Sequence, residues 1–244
     1  MNDKEIRKIL ISYLTANNRE IRIYQEKNIG NSICDVMAVT DILTGYEIKG
    51  DGDTYVRLPQ QIKEYSKFFE KNYLVVSNSH IKSAPEKVPS DWGIILIQDD
   101  NVRIVRNAVI NKNVSRRKQL SVLWKLELKN ILITNNQPLY AQKEKGFIAD
   151  KIASAVDSNV LRGQIAYELM HRDYSVFDAK DYTIYSSNGE EFPAEELVDM
   201  GLTVPRATQI ALALKKRGVS IPESIYTINY LRKLIISLNG EVGE

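Results

Sequence analysis

The chain has 244 residues, 33 basic against 31 acidic side chains, and a formal net charge of +2. With 43% hydrophobic and 26% charged residues it has the composition of a folded protein, which excludes wholesale disorder. One cysteine, Cys34, and two histidines, His80 and His171, exclude an intrachain disulfide, a cysteine zinc cluster and a histidine-rich metal site. A metal, if held, must be bound mainly by carboxylates, which suits a hard ion such as magnesium.

No apolar run approaches the ~20 residues needed to span a bilayer. The polar start, Met1-Asn2-Asp3-Lys4-Glu5, lacks the apolar core of a secretory signal. The expectation is a cytoplasmic protein with no membrane partner.

Taken in chain order, Asp3 can cap a helix through Glu5 to Leu14, with Ile6, Ile9, Leu10 and Tyr13 on one face. Short strands are predicted at Ile21–Tyr24, Ile33–Val39 and Tyr46–Lys49, with Asp41 and Thr44-Gly45 supplying turns. Pro59 opens a helix from Gln60 to Phe69, with Ile62, Tyr65 and Phe69 as its apolar stripe. Two apolar runs, 73–77 and 92–97, read as strands covered on both faces, and Val102–Val105 as a hairpin partner of the second. Helices are expected at 116–132, 143–156 and 159–171. Phe192 to Arg217 resembles a helix-turn-helix with Gly201 at the turn, though the apolar second helix also fits an ordinary pair of packed helices.

The predicted fold class is α/β: a three-layer α/β/α core with a mixed sheet over residues 1–110, followed by a mainly helical domain over 111–244. Charge supports a change near residue 110. Residues 1–110 are neutral, 111–130 carry six basic residues and one acid, and 131–244 are net −3. The basic segment, with Arg116, Arg117 and Lys118, is either a phosphate-contacting patch or a solvated helix face.

The chemistry-bearing pattern lies in the first part. Asp35 sits inside an apolar strand, where a carboxylate is costly without a partner. After eleven intervening residues come Glu47-Ile48-Lys49, whose alternation puts Glu47 and Lys49 on one face of the next strand. If the strands pair, two carboxylates and one ammonium converge. That set can hold a divalent cation, polarise a phosphoryl oxygen and activate a water.

Asp35, the eleven-residue gap and Glu47-Ile48-Lys49 resemble the PD-(D/E)XK nuclease signature, with Cys34 in place of the usual proline. Gln61 and Tyr65 resemble the Q-x-x-x-Y element of the following helix. The stretch from Tyr46 to Ile97 resembles small bacterial and phage members, including the MmcB-like DNA-repair group. The resemblance covers residues 1–110 and implies a restriction-endonuclease-like core acting on DNA with Mg²⁺ or Mn²⁺. By position it implies Asp35 and Glu47 as metal ligands, Lys49 as the catalytic lysine, Gln61 over the site, and Tyr65 packing or touching phosphate. The further upstream acid is Glu5 or Glu26. Against hydrolysis stands a non-catalytic nucleic-acid-binding or regulatory module on the same fold. The sequence leaves open a homo-oligomer and a protein partner for the helical half.

Overall fold

The computed structural model describes residues 1–172 and residue 215. Met1–His171 form one compact unit and Arg172–Glu244 a second. The segment resembling a helix-turn-helix, 193–217, lies outside the described residues except for Lys215.

Helix α1 (Asp3–Ala16) begins at a capping box. The Asn2 side chain accepts from the Glu5 N–H at 3.0 Å, and the Glu5 carboxylate accepts from the Asn2 N–H at 2.8 Å. The cap is therefore Asn2, one residue before the expected Asp3, whose carboxylate instead pairs with Arg7 at 2.7 Å. Ile6, Leu10 and Leu14 form the buried face of α1.

Strands β1 (Arg22–Asn28), β2 (Ile33–Val39) and β3 (Leu43–Lys49) form an antiparallel meander. The β2–β3 turn lies at Thr40–Ile42, where the Thr40 N–H donates to the Ile42 carbonyl. The expected turn residues Thr44 and Gly45 lie instead within β3, which is buried along its whole length. Gly45 is there because the Phe69 ring occupies its side-chain position; a Cβ would lie 2.4 Å from that ring.

Helix α2 (Leu58–Phe68), with Pro59 in its first turn, is the crossover to β4 (Lys71–Val76), which runs parallel to β3. The short α3 (Ala84–Lys87) leads to β5 (Gly93–Gln98), parallel to β4, and β6 (Asn101–Arg106) returns antiparallel to β5. The six strands lie side by side in chain order in one mixed sheet.

One face of the sheet packs Val36, Ile48, Val75 and Ile95 against α1. The other buries Met37, Leu74, Val76 and Trp92 under α2 and four further helices: α4 (Arg116–Leu120), α5 (Lys125–Thr134), α6 (Lys145–Ala155) and α7 (Ser158–Met170). The single helix expected over 116–132 is two. The Glu127 carboxylate accepts the Trp124 N–H at 2.6 Å and caps a new start there. Leu120, Leu128, Ile148, Ile152, Leu161 and Ile165 share one hydrophobic core with the sheet. The Tyr24 hydroxyl donates to the Leu169 carbonyl at 2.6 Å, tying β1 to α7. The composition change at 110 thus falls inside the compact unit Met1–His171.

Candidate functional site

The β2–β3 ladder ends at the pair Val36–Tyr46. Beyond it the Asp35 side chain enters between the strands, and its Oδ2 accepts the Ile48 N–H at 2.8 Å. A carboxylate thus replaces a ladder carbonyl, so the backbone donor stays satisfied where the strands part. Glu47 and Lys49 share the α2 face of β3, as strand alternation requires. Lys49 Nζ donates to Glu47 Oε1 at 2.8 Å, and both residues are buried.

Helix α2 supports this pair from the side. Gln61 and Tyr65, one turn apart, lie on the same helix face. The Tyr65 hydroxyl donates to Glu47 Oε2 at 2.8 Å and accepts the Asp35 N–H at 3.3 Å. Tyr65 is completely buried against Phe69 and Trp92, with ring centroids 5.2 and 5.4 Å away. Of the two roles the sequence left open, packing is the one the structure gives it. A group with no exposed surface cannot touch a phosphate. The Gln61 amide hydrogen-bonds Glu47, while its Oε1 is buried without a partner.

Burial, and then the neighbouring Glu47 charge, push the Asp35 carboxyl from 3.8 up to about 7, against the pull of the Ile48 N–H. Burial also raises Glu47, opposed chiefly by Lys49. The Glu47 charge that raises Asp35 is one whose repulsion a bound cation would relieve.

The site opens into a cleft of about 860 Å³ lined by Asp35, Glu47, Lys49 and Gln61. Asp3, Glu26, Asp53 and Arg57 also line it. Five carboxylates therefore face two basic side chains, an environment that repels a bare phosphate and attracts cations. The donors fit a hard divalent ion: the half-buried Asp35 and buried Glu47 carboxylates and an orphaned amide oxygen. Among the described residues no group of three His, Cys, Asp or Glu side chains converges as a metal site. The candidate donor set is thus Asp35 and Glu47, with Gln61 beside them.

The two candidate upstream acids separate. Glu5 is committed to the α1 cap and does not line the cleft. Glu26 lines it, in a left-handed backbone conformation at φ 50°, but is exposed and paired with Arg7 at 2.8 Å. Asp3 lines the cleft, and its charge also raises Asp35. The sequence reading missed it and Arg57. No local signal marks Asp3 beyond its capping chemistry, since its place at the cleft depends on how α1 crosses the sheet.

Arg116, Arg117 and Lys118 do not line the cleft. Arg116 pairs with buried Glu70, Arg117 with Asp150, and Lys118 with Glu64 at 2.6 Å. These bonds hold α4 against the α2–β4 junction and α6. Cys34 is fully buried, which pushes its thiol up, as befits a core residue and not a nucleophile. His80 lies 2.9 Å from the Gly50 carbonyl, and His171 stacks on Tyr167. In the Gly50–Asp53 loop, Asp53 accepts the Gly50 N–H at 2.7 Å and so closes a turn.

Fold and site together define an α/β protein with an acidic, lysine-bearing cleft where an antiparallel strand pair parts. The chain belongs to the bacteriophage P4 protein cII family, whose model matches residues 1–182. It is 26% identical over 140 residues to Protein cII of Enterobacteria phage P4, a match covering 54% of this chain and 53% of that protein. The chain thus spans about half the length of that relative. Two solved structures are also similar. The SPO1766 protein of unknown function from Silicibacter pomeroyi has a TM-score of 0.39 and 15% identity, covering 56% of this chain and 93% of that one. Pyrococcus furiosus SfsA, solved in complex with Ca²⁺, has a TM-score of 0.27 and 17% identity, covering 46% of this chain and 63% of that one. Among the described residues no helix is long and apolar enough to cross a membrane.

Proposed function

We propose that the cleft is the active centre of a metal-dependent phage nuclease of the PD-(D/E)XK type, hydrolysing a phosphodiester of DNA. The observation that carries this reading is the pairing of half-buried Asp35 with buried Glu47, with Lys49 beside them, at the point where β2 and β3 part. Asp35 and Glu47 would hold Mg²⁺ or Mn²⁺, with the Gln61 amide oxygen alongside. When bound, the cation supplies charge neutralisation at a phosphoryl oxygen and acidifies a water. Lys49 brings a fixed positive charge to the developing negative charge on phosphorus and can orient the attacking water. Tyr65 holds the Glu47 carboxylate and the Asp35 backbone in place, a positioning task performed from full burial.

Incubation with Mg²⁺ or Mn²⁺ and DNA is expected to yield cleaved product. Lys49→Ala is expected to abolish it while circular dichroism stays native. Cleavage that persists in Lys49→Ala sinks the assignment.

A second reading is a phage nucleic-acid-binding or regulatory module that uses the cleft without cutting. Membership of the phage P4 cII family supports it, as does a donor set limited to two carboxylates, one already paired with lysine. Metal-dependent DNA binding with no product at any divalent ion would select this reading.

A further inference from the structure

The acidic cleft has a neighbour of opposite character. A groove of about 660 Å³ is lined by Lys4, Arg7 and Lys8 of α1, with Glu26 as its single carboxylate. Glu26 lines both the groove and the acidic cleft, so the two adjoin there. Arg7 bridges Asp3 and Glu26 and so braces the wall between them.

The basic residues of this groove differ from those of the 111–130 segment. Arg116, Arg117 and Lys118 are tied into ion pairs within the fold. Lys4 and Lys8 are exposed, and neither takes part in an ion pair or hydrogen bond among the described residues. They stand four residues apart on one helix face, about 6 Å along the axis. Both can therefore meet neighbouring phosphates of one strand, which rise about 3.4 Å per nucleotide along the duplex axis.

We propose that this face of α1 is the tracking surface for the nucleic-acid backbone, with Lys4 and Lys8 as the phosphate contacts that deliver a strand to the acidic cleft. The inference rests on the nucleic-acid reading of that cleft and adds the substrate path. Charge complementarity is its warrant. Five carboxylates repel a strand lacking a cation, so affinity must come from outside the cleft, and the adjoining lysines are placed to supply it. Sequence independence is expected, because ammonium groups on a helix face meet phosphates and not base edges.

The test is fluorescence anisotropy with labelled duplex DNA, single-stranded DNA and RNA, without divalent cations, over a salt series. Lys4→Ala/Lys8→Ala is compared with wild type and with Lys125→Ala/Lys129→Ala from the 111–130 segment. The expected result is an affinity loss of about tenfold for the α1 pair, with the salt slope reduced by about 2 on duplex and somewhat less on single strands. The Lys125/Lys129 variant should stay within twofold of wild type. The preferred substrate arm identifies which nucleic acid the surface takes. Unchanged affinity in the α1 variant, loss in the Lys125/Lys129 variant alone, or no binding by wild type each overturns the proposal. So does α1-dependent binding to anionic vesicles with no binding to any oligonucleotide. Binding through α1 without cleavage would leave this inference standing and remove hydrolysis, whereas cleavage with an unaffected α1 variant would do the reverse.

Discussion

Replacing Asp35 by Asn tests how the cleft stores charge. The substitution keeps an oxygen for the Ile48 N–H and nearly the same volume, but removes the charge. In the native protein burial and Glu47 raise Asp35 from 3.8 to about 7. The folded chain therefore holds the Asp35 proton more tightly than the unfolded chain. Between about pH 4 and 7 stability falls as pH rises, and above 7 the penalty is complete. A shift of about three units corresponds to an upper bound of about 4 kcal/mol. Asp35→Asn should accordingly be more stable than wild type by about 2–4 kcal/mol at pH 8, and by less than about 2 kcal/mol at pH 5. Urea denaturation without divalent cations, followed by tryptophan fluorescence, is the assay. Both tryptophans, Trp92 and Trp124, lie in the Met1–His171 unit, so the signal reports that unit. Adding Mg²⁺ should stabilise wild type and leave the variant unmoved, closing part of the gap. An Asp35→Asn protein that is equal to or weaker than wild type at pH 8 refutes the reasoning, because the charge would then be welcome where burial is argued to oppose it.

Tyr65→Phe removes the hydroxyl that joins Glu47 to the Asp35 backbone and leaves two buried groups short of a partner. A loss of about 1–3 kcal/mol is expected in the same denaturation experiment, with DNA affinity within twofold, because the side chain is buried away from substrate. Arg116→Ala leaves buried Glu70 without its ion pair and should cost about 3–5 kcal/mol. Lys125→Ala, on the exposed start of α5, should stay within about 0.5 kcal/mol of wild type. Equal effects for these last two would show that the Arg116 bonds do not anchor α4.

The sequence alone determined the elements whose patterns are local. The largely apolar run at 33–39, the apolar runs at 73–77 and 92–97, and Pro59 before an amphipathic stretch each gave a strand or helix close to the observed one. Strand alternation also placed Glu47 and Lys49 on one face. Its errors came where distant residues decide. Thr44-Gly45 carries turn chemistry, yet Gly45 is in a strand because Phe69, 24 residues on, fills the space of its missing side chain. A basic run cannot reveal that Arg116, Arg117 and Lys118 will meet Glu70, Asp150 and Glu64, since ion-pair partners are chosen by packing. Only the tertiary structure decided that Asp35 enters between β2 and β3, that Tyr65 binds Glu47 from within the core, and that Asp3 and Lys4, adjacent in sequence, line an acidic cleft and a basic groove respectively. Residue spacing fixes which side chains share an element face. The docking of α1 and α2 on the sheet, driven by burial of their apolar stripes, fixes which of those faces meet.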